Sequence, residues 1–153
     1  MYTTRIALGT DHAGYLLKEA VKAHLIGKGL DIIDEGTFSG EPVDYPAIIR
    51  RACAHTIEQG IPAIVFGGSG QGEAIAANKV PGIRAARCLT LEDARLARSH
   101  NDANVLSLAG RMTTSELALQ MVDVFLETPF EGGRHIARVK DIEEGARVPF
   151  FDE

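Results

Sequence analysis

The chain has 153 residues, 45% hydrophobic and 24% charged, with a net charge of −5. That composition suits one globular domain with a real core and excludes a disordered chain; the acidic balance argues against a protein that coats nucleic acid or a membrane surface. No run approaches the roughly 20 apolar residues of a membrane span, and the start, MYTTRIALG, lacks a signal-peptide apolar region, so a cytoplasmic protein is expected.

RIALGT (5–10) reads as a strand, followed by an amphipathic helix over GYLLKEAVKAHLIGKG that Gly27 or Gly29 ends. DIIDEG is a short strand. DYPAIIRRACAHTIEQG is a helix, with Asp44 as its cap, Pro46 in its first turn and Gly60 as its stop. PAIVFGG is a strand and a helix follows from about 71 to 79. IRAARC is a strand, LEDARLARSH a helix and NVLSLAG a strand. A helix from about 114 to 126 is expected to start on a capping box of Thr113 and Glu116. A last helix runs from about 133 to 144, and a tail ends the chain.

Strands alternating with helices at this spacing predict one domain, 1–153, with a five-stranded parallel Rossmann-like sheet in a three-layer α/β/α sandwich. The helix ELALQMVDVFLE is apolar nearly all round, which suggests either a second buried face at a subunit interface or burial under the C-terminal helix. Cys53 and Cys88 sit in apolar segments outside any C-x-x-C pair, as buried reduced thiols do.

In open parallel sheets ligands bind at the carboxyl ends of the strands. FGGSGQGE (66–73) lies there, between a strand and a helix. It fails the dinucleotide pattern, because Glu73 takes the third glycine position, and it fails the Walker pattern, because no Gly-Lys-Ser/Thr closes it. Its amides can still form an anion nest. Glu73 is then either an ordinary first-turn glutamate facing the helix dipole or a base beside a transient oxyanion. Arg134 and Arg138 share a face of the last helix, and Arg111 ends the fifth strand. They form either a solvated basic face or a phosphate site. Asp11-His12 follows the first strand, where an acid and an imidazole can bind hydroxyls or move protons. His100-Asn101 lies toward the opposite sheet edge, either as a helix-ending turn or as a contribution to a neighbouring chain's loop. No metal-ligand pattern occurs, so neither metal nor other cofactor is expected.

GTDHAGYLLKE, DYP, GGSGQGEAIAANKVPGIRAA, ARSHNDAN, GRM and RHIARV occur in the order found in the ribose-5-phosphate isomerase B family, which includes the galactose-6-phosphate isomerase subunits. The chain resembles that family over nearly its whole length. The resemblance implies a dimer or tetramer that builds each site from two chains, and metal-free aldose–ketose isomerisation of a sugar phosphate through an enediolate. It implies site roles for Asp11 and His12, a sugar pocket lined by Asp44 and Tyr45, and ring opening aided by His100 of a partner. Asn101 and the loop amides at Gly68, Gly70 and Gly72 would stabilise the enediolate, and Arg111, Arg134 and Arg138 would hold the phosphate.

In much of the family a cysteine beginning the loop is the base; Gly67 stands there in this chain, and Glu73 matches the branch that uses a glutamate. Glu73 is therefore the expected base, with Ser69 moving the hydroxyl proton. Ribose 5-phosphate is the leading substrate. A tetrose phosphate is the alternative within the same chemistry, and a non-catalytic phosphate-binding domain the alternative outside it.

Overall fold

The computed structural model describes residues 3–145; the tail from 146 lies outside the described residues. The elements are β1 (Arg5–Thr10), α1 (Tyr15–Gly27), β2 (Asp31–Asp34), α2 (Tyr45–Gln59), β3 (Ala63–Gly67), α3 (Gln71–Asn78), β4 (Ala85–Arg87), α4 (Leu91–Asn101), β5 (Val105–Ala109), α5 (Ser115–Glu127) and α6 (Arg134–Gly145). The five strands are parallel in the order β2-β1-β3-β5-β4. The order reverses between β1 and β3, so a crevice opens above their carboxyl ends.

Both sheet faces are covered, which is why β3 and β5 are buried at every position. Leu8, Ile64 and Leu106 lie in register across one face and pack against α1, α4 and α5. Ala7, Ala63 and Val105 form the matching row on the other face, under α2 and α3. Small residues there let α2 approach closely: a Cβ at Gly9 would lie 3.1 Å from the Ala52 Cβ. Cys53 and Cys88 are buried free thiols, and burial pushes them up to about 11 and about 12.

Three local expectations need correction. Asp44 occupies the cap position of α2, but its side chain makes no capping hydrogen bond and stays exposed. The cap of α5 is Thr114, not Thr113; its hydroxyl accepts from the Leu117 amide at 3.2 Å because Thr114 is the extended residue just before the helix. The reciprocal capping box is at α4, between Thr90 and Asp93, where an aspartate replaces the usual Glu/Gln. The surplus apolar residues of α5, including Leu117, Leu119, Val124 and Leu126, pack at the edge of the same core between α1 and α4. Those four side chains remain partly exposed in the single chain. The helix α6 rests on α4 rather than covering α5.

A buried ion pair braces the loops above β1 and β2. Lys18 is fully buried, and its Nζ donates to both Asp34 oxygens at 2.9 and 2.8 Å and to the Thr37 carbonyl at 2.8 Å. Burial alone would raise the Asp34 carboxyl, but hydrogen bonds from Lys18, the Gly36 amide and Lys22 outweigh it and hold the group below its ordinary value. Removing one partner of a buried pair costs roughly 3–5 kcal/mol because the other charge is left uncompensated. Lys18→Met is expected near the lower end, about 3 kcal/mol, since Lys22 still reaches Asp34 at 3.0 Å. Urea unfolding measures it; a loss under about 1 kcal/mol would show that the pair does not brace these loops.

Candidate active site

Three strand ends meet at the crevice. Asp11, His12 and Ala13 follow β1, Gly68, Ser69, Gly72 and Glu73 follow β3, and Arg111 and Met112 follow β5; Val43, Asp44 and Tyr45 close the side at the start of α2. Together they line a cleft of about 630 Å³.

The glycine loop is pinned by its carbonyls. Gly67 and Gly68 accept from the Gly110 and Arg111 amides at 2.7 and 3.0 Å. Arg87 Nε donates to the Ser69 carbonyl at 2.7 Å, and Ser107 Oγ donates to that of Gly70 at 2.7 Å. With every carbonyl turned into the protein, the amides of Gly68, Ser69 and Gly70 meet no acceptor among the described residues. Gly70 begins α3 in the left-handed region, φ 75°, and a Cβ there would press on the Leu108 carbonyl.

Glu73 lies in the first turn of α3 and is only 3% exposed. Its carboxyl fills the space that a Cβ on Gly67 would occupy. Burial pushes it up to about 7, against its own backbone amide, which lowers it; the adjacent Asp11 adds charge repulsion and a hydrogen bond that raise it further. Asp11 is itself held by the Gly14 amide, which donates to Oδ1 at 2.9 Å.

The Val43 amide donates to His12 Nδ1 at 3.2 Å, so a neutral ring carries its proton on Nε2 and can present it to a ligand. The Tyr45 hydroxyl lies against Gly72, at the place a Cβ would take. The Arg111 guanidinium lies over Gly68, makes no ion pair among the described residues and is free to meet an anion.

The structure therefore brings Asp11, His12, Asp44, Tyr45, Gly68, Ser69, Gly72, Glu73 and Arg111 to one cleft. Gly70 lies beneath it. His100, Asn101, Arg134 and Arg138 do not line it: they sit at the end of α4 and along α6, away from the glycine loop. Sequence reading missed Val43 as the His12 partner and Arg87 and Ser107 as loop anchors. These work through backbone groups or from other strands, and no local motif marks them. It also missed Glu131, whose only signal is its i,i+4 spacing to His135.

His100, Glu131 and His135 have the residue types of a cation site. The two imidazoles, however, stack with centroids 4.3 Å apart and planes 17° from parallel. Ring-nitrogen lone pairs lie in the ring plane, so those of near-parallel rings run side by side rather than converge on one ion.

The shielded proton-accepting carboxyl, the hydrogen-bond donors around it and a free guanidinium belong to an α/β enzyme that moves protons on an anionic substrate. The family model described as Ribose/Galactose Isomerase matches residues 6–142, and the chain belongs to that family. It is 42% identical to ribose-5-phosphate isomerase B of Escherichia coli over 139 residues, 90% of this chain and 93% of that protein. It is 47% identical to the protein of that name from Mycobacterium leprae over 147 residues, 94% and 91% of the two chains. The fold matches a crystal structure of the Thermotoga maritima ribose 5-phosphate isomerase with a TM-score of 0.90 at 48% identity, covering 92% of this chain and 98% of that one. A Mycoplasma genitalium ribose-5-phosphate isomerase B with bound ribulose-5-phosphate matches with a TM-score of 0.90 at 34% identity, covering 95% and 97%.

A base must be ionised to accept a proton. With Glu73 raised to about 7, turnover is expected to fall as pH drops through 7, about tenfold per unit below it, and to level off above. A pH–rate profile checks this; an acid limb in the ordinary carboxylate range near 4 would mean that Glu73 is not the group whose ionisation limits the rate.

Proposed function

We propose that this chain is a ribose-5-phosphate isomerase that interconverts ribose 5-phosphate and ribulose 5-phosphate through an enediolate. The observation that carries the reading is the Glu73 carboxyl, buried at the cleft floor and raised to about 7, beside amides free to receive an oxyanion. The matched family and the ribulose-5-phosphate complex of a relative support the five-carbon substrate.

In this reading the opened aldose lies along the cleft with C2 over Glu73. The carboxylate takes the C2 proton, and the electron pair moves to the C1 carbonyl oxygen, which becomes the enediolate oxygen. The loop amides at Gly68, Gly70 and Gly72 and the amide of Asn101 donate to that charge; losing one such donor typically costs roughly 2.7–4 kcal/mol. Ser69 carries the hydroxyl proton from O2 to O1, and Glu73 returns its proton to C1, leaving the ketose. Asp11 keeps Glu73 basic, His12 and Arg111 meet the anionic end, and Asp44 and Tyr45 hold sugar hydroxyls.

Arg134, Arg138, His100 and Asn101 do not line this cleft. We propose that they serve the cleft of a second copy, so that a homodimer, or a tetramer built from two dimers, carries the activity, each chain acting as a single domain. Initial rates on four-, five- and six-carbon aldose phosphates test the function. Preference for ribose 5-phosphate is expected; phosphate binding with no isomerisation of any member would overturn it.

A further inference from the structure

The only buried side chain of α6 is an imidazole, His135, at the helix's second residue. It is 6% exposed, and its Nε2 has no hydrogen-bond partner among the described residues. Leaving a buried polar atom unpaired is unfavourable, because its lost hydration is not replaced. A leucine would anchor the helix without that cost, so packing alone does not account for a histidine here.

The ring stacks on His100, in the last turn of α4, and covers one of its faces. The other face stays accessible, since the His100 side chain is 34% exposed. A single carboxylate serves both rings: Glu131 Oε2 lies 3.8 Å from His100 Nε2 and 3.6 Å from His135 Nε2. Its backbone is anchored, because the Glu131 amide donates to the Ser99 carbonyl at 3.0 Å, next to His100. Gly132 and Gly133 then turn the chain with φ 68° and 57°, conformations that side chains disfavour, and this folds His135 back beneath Glu131.

The two stacked rings thus share a single carboxylate at their nitrogen edges. The groups facing His135 are His100 from α4, Glu131 from the preceding turn, and Arg134 and Arg138 from its own helix. Burial first, then the charges of His100, Arg134 and Arg138, outweigh Glu131 and hold it below the ordinary histidine range.

We propose that His135 and Glu131 are positioning residues for His100: they fix its ring against the end of α4 and hold its nitrogen edge in one orientation during opening of the sugar ring. This rests on the isomerase reading and on His100 acting in that step. Ribose 5-phosphate enters as a closed ring. Ribulose 5-phosphate is open, because its C5 hydroxyl carries the phosphate, so enolisation from the ketose side needs no ring opening.

Two rates on the full-length enzyme separate the steps: conversion of ribose 5-phosphate, and solvent deuterium exchange at C1 of ribulose 5-phosphate followed by NMR. A positioned proton-transfer group contributes roughly 10²–10⁴-fold. His135→Leu is expected to lower kcat for ribose 5-phosphate about tenfold or more, to leave KM within about twofold, and to leave C1 exchange within about twofold. Glu131→Gln, at an exposed position that the core does not need, is expected to act in the same direction. Equal loss of both rates, or unchanged conversion in both variants, overturns the proposal. Wild type that neither converts nor exchanges overturns the isomerase reading as well. If His100→Asn converts at the wild-type rate, the role of His100 fails, and its supports fail with it.

Discussion

Glu73→Gln is expected to lower kcat for ribose 5-phosphate by at least the roughly 10²–10⁴-fold attributed to a positioned general base, and to leave KM within a fewfold. The amide keeps the size of the carboxyl and cannot accept the C2 proton. Substrate affinity is expected to survive because the phosphate and hydroxyl contacts come from other residues. Substrate binding also gains by removal of a negative charge near an anion. The site has room for the change: Glu73 touches Asp11, and an amide there can donate to that carboxylate, so the variant is expected to fold normally. Steady-state kinetics with calorimetric binding of ribose 5-phosphate checks both halves. A variant that retains a tenth or more of wild-type turnover would move the base elsewhere.

Gly67→Ala is the second large effect, and it comes from shape alone. A Cβ at position 67 lands on the Glu73 carboxyl carbon and both its oxygens. The carboxyl must leave its shielded place, and with it the contact with Asp11 and the burial that raises its basicity. Misplacing a reacting group by about 1 Å can cost roughly 10²-fold, and that is the expected loss in kcat. Overpacking costs about 1–3 kcal/mol, so a modest drop in thermal midpoint is expected with it. Kinetics and a melting curve on one preparation distinguish the two. Full activity in a stable variant would mean that Glu73 has freedom the crevice does not offer.

This contact also gives a physical reason for the difference between the two branches of the family. A side chain at position 67 and the carboxyl of Glu73 occupy the same volume, so a base on the strand end and a base on the helix are spatial alternatives. The sequence shows the absence of a cysteine at 67 and a glutamate at 73 as two separate facts. Only the three-dimensional arrangement makes them one.

The strand and helix order was legible because buried parallel strands leave unbroken apolar runs, as in AIVF and VLSLA, and because Gly60 marks a helix stop without ambiguity. The loop after β3 was legible because glycines between a strand and a helix have few other uses. Contacts between residues distant in the chain were not. Lys18 looks like any polar residue of an amphipathic helix, yet it is fully buried because Asp34 and the Thr37 carbonyl wait for it 16 and 19 residues away. Thr113 and Thr114 differ by one residue, and which one caps α5 depends on where the backbone leaves the extended region. Composition likewise cannot say whether the second apolar face of α5 meets the same chain or another.

The account stands on proton transfer at Glu73. The direct measurement is NMR of ribulose 5-phosphate in deuterium oxide with the wild-type enzyme and with Glu73→Gln. The wild type is expected to place deuterium at C1 and to form ribose 5-phosphate, while the variant does neither at a measurable rate. Exchange at C1 by the variant at the wild-type rate would contradict the assignment, since another group would then be removing the proton.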